Sequence, residues 1–252
     1  MLDFIGSFDL NATQWVFSNL AGALIGITKT GMAGAGMLVV PLMAGIVGGK
    51  AAAGLTLPLL SMGDLFAVRY FRSHADWRTI GRLLPWTVLG LAFGLGIGSL
   101  LDDRVFKAII AVFVIVGLAL TIWRDYISRD LRVPSAWWFA AGMGVLSGFA
   151  SMIGNAAGAI SSLYFLSMRF GKNAYLGTSA WFFLIVNLIK LPLHAFVWKT
   201  IDARSLGFGL LLVPAVFAGA FIGIRITRRI PEKPFKLVIL SFSALAALRL
   251  IL

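Results

Sequence analysis

The chain has 252 residues, 60% of them hydrophobic and 13% charged, with 22 Lys and Arg against 10 Asp and Glu, a formal charge of +12 and a mean hydropathy of +0.93. One soluble core cannot enclose that much apolar surface, and eight crossings of about 20 residues each leave no room for a soluble catalytic domain. With no cysteine and only His74 and His194, both expected in loops or at span ends, disulfides, thiolate metal sites, iron–sulfur clusters and haem are excluded, and no metal or cofactor is expected.

The N-terminal stretch MLDFIGSFDLNATQ holds two acids and no Lys or Arg. It lacks the basic start of a secretory signal, so the first span is expected to be retained. Hydropathy then marks a long segment at about 13–47, broken by KTGMAGAG at 29–36, followed by spans near 51–71, 83–100 and 105–123. A second long segment at about 135–168, broken by GNAAGA at 154–159, precedes spans near 173–193, 206–224 and 235–252. One broken segment plus three spans occurs twice, which divides the chain into halves at 1–130 and 131–252.

Identities at constant offset support the repeat. Gly49, Lys50 and Thr56 recur 122 positions later as Gly171, Lys172 and Thr178; Pro85, Gly90, Gly94, Phe106 and Lys107 recur 129 positions later as Pro214, Gly219, Gly223, Phe235 and Lys236. The basic residues sit in short clusters between apolar runs, which is the pattern of topology determinants and not of a nucleic-acid face. If each broken segment enters the membrane and returns, with the N-terminus outside, 14 Lys and Arg face inward and 5 outward. If each crosses once, the bias is lost. The returning form makes three crossings per half, an odd number, so the halves are inverted. The fold expected is an all-α polytopic membrane protein of two inverted repeats, each a broken re-entrant hairpin plus three transmembrane helices.

Irregular backbone at membrane depth is tolerated where it is buried in protein or lines a wet cavity, and two equivalent breaks in inverted halves point to a midplane binding site. Half-helix ends aim N–H groups and positive dipole ends there, which suits an anion, and glycine lets the backbone come close. The competing reading of Gly31, Gly34 and Gly36 is tight helix packing. Lys29, at the first break, either neutralises an anion, pairs with Asp64 or reaches an interface. Asp64 is the acid lying well inside an apolar segment, hence the candidate for coupling to a proton or sodium ion; its alternative is a structural pair with Lys29 or Arg69. Asn155 marks the second break, with Ala156 beside it. Thr30, Thr56, Thr178 and Ser179 offer hydroxyls, although bonding back to the helix is their commoner use. Asn187 and Lys190 share a helix face, with Lys190 expected to snorkel to the outer interface. Trp181, Trp123, Trp137 and Trp138 fit packing or interfacial positions more readily than a substrate cage. The candidate binding set is Lys29, Thr30, Gly31, Gly34, Gly36, Asn155, Ala156, Thr178, Trp181 and Asn187, with Asp64 for coupling.

The run GITKTGMAGAGMLVVPLMAGIVGGKAAAGLTLPLL at 26–60, RSHADWRTIGRLLPW at 72–86, SMIGNAAGAISSLYFL at 151–166 and GTSAWFFLIVNLIK at 177–190 together resemble the TauE/SafE sulfite-exporter family over nearly the whole chain. The resemblance implies export of sulfite, sulfoacetate or a related organosulfonate by alternating access of two inverted repeats. The family's glycine-rich segment falls on Gly31, Gly34 and Gly36, interrupted by Ala35. A multi-pass protein of the bacterial inner membrane is expected, with a small sulfur oxyanion and the lipid bilayer as partners and a homodimer left open. An anion channel and a membrane subunit of a larger complex are the alternatives. An intramembrane enzyme is not expected, because the chain offers no nucleophile with its base at matching depths.

Overall fold

The computed structural model describes residues 10–29, 36, 38–123, 137–168 and 170–229, with positions 241, 244, 245 and 248. Among the described residues the regular structure is helical, without strands. The first broken segment forms α1 (Ala12–Lys29) and α2 (Val39–Val47), followed by α3 (Gly49–Phe71), a 3₁₀ turn (Arg72–His74), α4 (Trp77–Leu100) and α5 (Asp103–Ile122). The second forms α6 (Trp137–Gly154) and α7 (Ala157–Ser167), followed by α8 (Lys172–Pro192), which runs on into a π turn at Leu193–Val197, and α9 (Ala203–Arg229). The span expected at 235–252 falls almost wholly outside the described residues.

Among the described residues, five stretches are long and apolar enough to cross a membrane: Gly49–Arg69, Trp77–Leu100, Trp137–Gly154, Asn173–Val197 and Ala203–Gly223. The chain is an all-helical polytopic membrane protein. Its outer surface matches, since Val112 on α5 and Leu210 and Phe221 on α9 are 53%, 68% and 56% exposed, an arrangement that lipid stabilises and water does not.

Hydropathy misplaced one boundary. It put the start of α4 near 83, whereas the helix begins at Trp77, because the Asp76 carboxylate accepts the Thr79 N–H at 2.7 Å and caps the first turn. The polar turn holding Arg78 and Arg82 is therefore helical. Asp102 caps α5 in the same way through the Val105 N–H at 2.8 Å. Between α2 and α3 the chain turns at Gly48, whose φ of +92° a side chain would rarely adopt. Asp103 fastens this corner by accepting the Gly49 N–H at 2.7 Å.

Two seams dominate the packing, α1 on α9 and α4 on α6. In both, glycine brings backbones together. A Cβ on Gly26 would stand 2.0 Å from the Val216 carbonyl oxygen, and one on Gly219 2.0 Å from that of Ala23. In the other seam, a Cβ on Gly148 would stand 2.0 Å from the Thr87 oxygen, and one on Gly90 2.1 Å from that of Val145. Gly26 and Gly148, like Ala23 and Val145, are 122 positions apart; Gly90 and Gly219, like Thr87 and Val216, are 129 apart. The contacts of one seam thus map onto the other through the offsets found in the sequence. Contacts further apart along each seam set the direction: Trp15 packs on Phe208, Gly22 on Leu212 and Gly26 on Ala220, and in the other seam Gly144 packs on Leu83 and Gly94 on Met152, so the two helices of each seam run parallel.

The third main contact, α3 on α8, is antiparallel. Near one end Gly54 lies against Thr200, further along Asp64 bonds Asn187, and beyond the other end the Asp76 N–H bonds Thr178. Two apolar cores flank this central pair. One is built by α1, α2, α3, α5 and α9 around Ile25, Met43 and Phe106, the other by α4, α6, α7 and α8 around Leu91, Phe165 and Phe182.

Seam glycines have no room for a methyl group, and overpacking of this kind costs about 1–3 kcal/mol. Gly26→Ala and Gly148→Ala are each expected to lower the thermal unfolding temperature in detergent. Gly96→Ala, at an exposed helical position with open space around it, is expected to leave it unchanged or raise it, as alanine is the better helix former by about 0.5–1 kcal/mol.

Candidate functional site

Both breaks lead to the central pair of helices. At the first, Lys29 is the last residue of α1. Its stem lies across Gly63, where a Cβ would stand 2.8 Å from Lys29 Cγ, and its ammonium makes a short charged hydrogen bond to Asp64 Oδ1. The other carboxylate oxygen of Asp64 accepts from the Asn187 amide at 2.7 Å. Asp64 is buried with both oxygens engaged, which is what makes a carboxylate tolerable at this depth. Of the two partners weighed for Asp64 in the sequence, the structure selects Lys29 and not Arg69.

At the second break, Asn155 follows the last residue of α6 with a left-handed φ of +52°. Asparagine tolerates that conformation better than most residues, and here it ends the helix. Its side-chain amide donates to the Ala53 carbonyl at 3.0 Å and to Thr56 Oγ1 at 3.1 Å, both on α3. The adjoining Ala156 N–H reaches back to the Ala150 carbonyl at 3.1 Å, so this turn satisfies its own backbone.

The Asn155 side-chain oxygen Oδ1 accepts a short bond from Lys190 of α8, whose ammonium also donates to the Ser151 backbone carbonyl and hydroxyl oxygens, each at 3.0 Å. Lys190 does not snorkel. It is 0% exposed, because the π turn carries the helix onward beyond Pro192 and leaves the lysine short of the surface. Its three hydrogen bonds all go to neutral oxygens, and among the described residues no carboxylate forms an ion pair with it. One buried carboxylate therefore faces the partly buried ammonium of Lys29 and the fully buried one of Lys190. The formal excess of one positive charge is what an anion would neutralise.

Thr30, Gly31 and Gly34 lie outside the described residues. Gly36 is half-buried beside Thr28, whose methyl would stand 3.2 Å from an added Cβ. Lys29, Asn155 and Asn187 join the buried network directly, and Ala156 borders it. Thr178 does not: its hydroxyl accepts the Asp76 N–H at 2.9 Å and ties α8 to the start of α4. Trp181 packs on Trp77 with ring centroids 5.0 Å apart, in a cluster with Phe139 and Tyr164.

Three participants escaped the sequence. Lys190 was assigned to an interface by its distance from the span end. Ser151 stands four residues before Asn155, one turn away on the same face, a spacing that would have found it. His194, expected at a span end, is fully buried in the π turn: its Nδ1 lies 2.8 Å from Thr200 Oγ1, its Nε2 has no partner among the described residues, and its ring meets Trp198 edge-on at 4.9 Å.

Removing one member of a buried pair strands the other charge at a cost of about 3–5 kcal/mol, whereas apolar replacement of both is often neutral. Asp64→Ala is accordingly expected to destabilise the protein much more than the double replacement Lys29→Met with Asp64→Leu, as measured by thermal unfolding of the purified variants.

The described residues hold no group of three or more His, Asp or Glu arranged to bind a metal ion. No curated protein and no solved structure matches the chain. The family model described as sulfite exporter TauE/SafE matches residues 19–250. That match covers both breaks, the central pair of helices and both glycine seams, and the chain belongs to the TauE/SafE sulfite exporter family of membrane transporters.

Proposed function

We propose that the chain carries sulfite, sulfoacetate or a related small organosulfonate across the bacterial inner membrane by alternating access, and that the anion docks at Lys190 beside Ser151 and Asn155. The observation that supports this most directly is the charge imbalance: Lys29 and Asp64 neutralise one another, while Lys190 has only neutral acceptors. An arriving sulfonate or sulfite oxygen takes an ammonium N–H from one of those acceptors. Charge-assisted bonds are stronger than the neutral ones they replace. This moves the main anion contact from Lys29, the first candidate in the sequence, to Lys190.

The halves 1–130 and 131–252 are read as inverted repeats. The returning form of the broken segments requires α3 and α8 to run in opposite directions and each seam to join parallel helices; single crossings would make α3 and α8 parallel. The observed antiparallel α3 and α8, with the reciprocal seams, support the returning form. Each seam joins the first arm of one half to a span of the other. Movement is then the rocking of two bodies against the central pair, which alternately opens the Lys190 region to either side. Asp64 is the group for ion coupling, since a proton or sodium ion on its carboxylate would compete with Lys29.

The test is sulfite and sulfoacetate flux in proteoliposomes. Wild type is expected to give saturable flux. Lys190→Met should lose about 2–5 kcal/mol of anion binding, roughly a thirtyfold or larger fall in transport efficiency, while Lys29→Met with Asp64→Leu keeps saturable flux down a sulfite gradient and loses its dependence on a proton or sodium gradient. Undiminished flux in Lys190→Met would overturn the assignment, and a large single-channel conductance in wild type would replace the carrier by a channel.

A further inference from the structure

Away from the buried network, a cavity of about 380 Å³ opens at the end of the molecule where α2 meets α3 and the π turn leads into α9. One wall is apolar, formed by Val47, Ala51, Leu55 and Phe208; the other is the polar stretch Lys199, Thr200, Asp202, Arg204 and Ser205. The volume falls in the range of small-molecule sites, about 300–1,000 Å³. A small oxyanion fits with part of its hydration shell.

Two further observations bear on this cavity. The described residues include just two non-glycine positions with positive φ, Asn155 at the buried break and Lys199 at the cavity, both at +52°. For lysine this conformation costs of order 1 kcal/mol or more, and such outliers concentrate at ligand clamps. The strain also has a local support: Gly54 lets the strand of chain after Lys199 press onto α3, since a Cβ there would stand 2.3 Å from Thr200 Oγ1. In addition, the cavity is joined to the buried site by polar groups. Thr200 lines the cavity and bonds His194, and His194 sits one helical turn beyond Lys190 on α8.

The charges in the wall act in opposite directions. Lys199 and Arg204 attract an anion, and Lys50, whose ammonium lies 5.4 Å from the Trp198 ring, adds to the positive potential. Asp202 repels one. Hydrogen bonds from Ser205, the backbone N–H at 2.7 Å foremost, hold the Asp202 carboxyl below the usual carboxylate range, so it is charged at neutral pH.

We propose that this cavity is a landing site for the transported oxyanion at the outer face, where Lys199 and Arg204 hold it after it passes from Lys190 by way of His194 and Thr200. The proposal rests on the anion-transport reading above. It assigns Lys199 and Arg204 to binding at the outer face, where the topology expected from the sequence puts them, and Asp202 to weakening that binding so that the anion is released.

The experiment uses the full chain in oriented proteoliposomes, with sulfite as the probe presented first to the cavity side and then to the opposite side. Asparagine tolerates positive φ, so Lys199→Asn removes the charge and keeps the backbone. Together with Arg204→Gln it is expected to raise the half-saturating sulfite concentration at least about fivefold from the cavity side alone, with a smaller effect on the maximal rate. Asp202→Asn, which preserves the helix cap, is expected to shift that concentration the other way, down by about two- to threefold. Misfolding cannot produce this improvement. An unchanged value in the double variant, or an equal shift from both sides, removes the landing site while a Lys190→Met defect leaves the buried site standing. Absence of saturable sulfite flux in the wild type overturns the transport reading and this proposal with it.

Discussion

A helix interrupted inside a membrane must find partners for the backbone it frees and for any charge it brings, because no water is at hand to supply them. Asn155 meets both demands. Its left-handed backbone ends α6, its amide nitrogen bonds α3 at Ala53 and Thr56, and its amide oxygen receives Lys190 from α8. Three helices thus meet on one side chain. An alanine there would leave an α3 carbonyl without this donor and the lysine short of an acceptor, and most other residues would resist the backbone conformation. The position, the conformation and the charge depend on one another, so the break is built to hold a cation and does more than bend a helix.

The two lysines at membrane depth are treated differently. Lys29 lies in the groove that Gly63 leaves open and reaches Asp64, which Asn187 also steadies. That trio is formally neutral and fits a structural clasp between α1, α3 and α8. Lys190 donates its hydrogen bonds to oxygens that carry no opposite charge. A buried ammonium of this kind is expensive until an anion compensates it. In the proposed transport reading, an anion that docks at this charge beside the break would bind and relieve that cost in the same event.

Around this network the glycine seams lock pairs of helices together. Backbone on backbone contact at Gly26, Gly219, Gly148 and Gly90 leaves little freedom for helices to slide within a seam. The α3 and α8 contact relies more on side chains and holds the polar groups. Rearrangement is therefore easier at the central pair than within the seams, and the central pair is where the charge is.

Much of this was legible in one dimension. Composition determined the solvent, the second broken segment marked where the irregular backbone at Asn155 falls, and the recurrence of Gly90 at Gly219 or Thr56 at Thr178 pointed to a correspondence of the halves. Lys29, Asp64, Asn155 and Asn187 were legible as site candidates because polar groups are costly in an apolar run and must be there for a reason. The seams could be seen only in part, since a glycine in sequence does not say whether a carbonyl lies opposite it. Gly96 and Gly90 look alike until the neighbouring helix is in place. The same limit applies to Thr178 and Trp181, which occupy promising positions along α8 yet serve to tie it to the start of α4 and to pack on Trp77. Lys190 marks the boundary most clearly. Its place near a span end suggested an interface, and depth along a helix is all that sequence measures. Only the tertiary structure, by extending α8 through a π turn and bringing Ser151 and Asn155 against it, decided that this lysine is buried, because enclosure depends on what other segments pack around a residue and not on its distance from the end of its own.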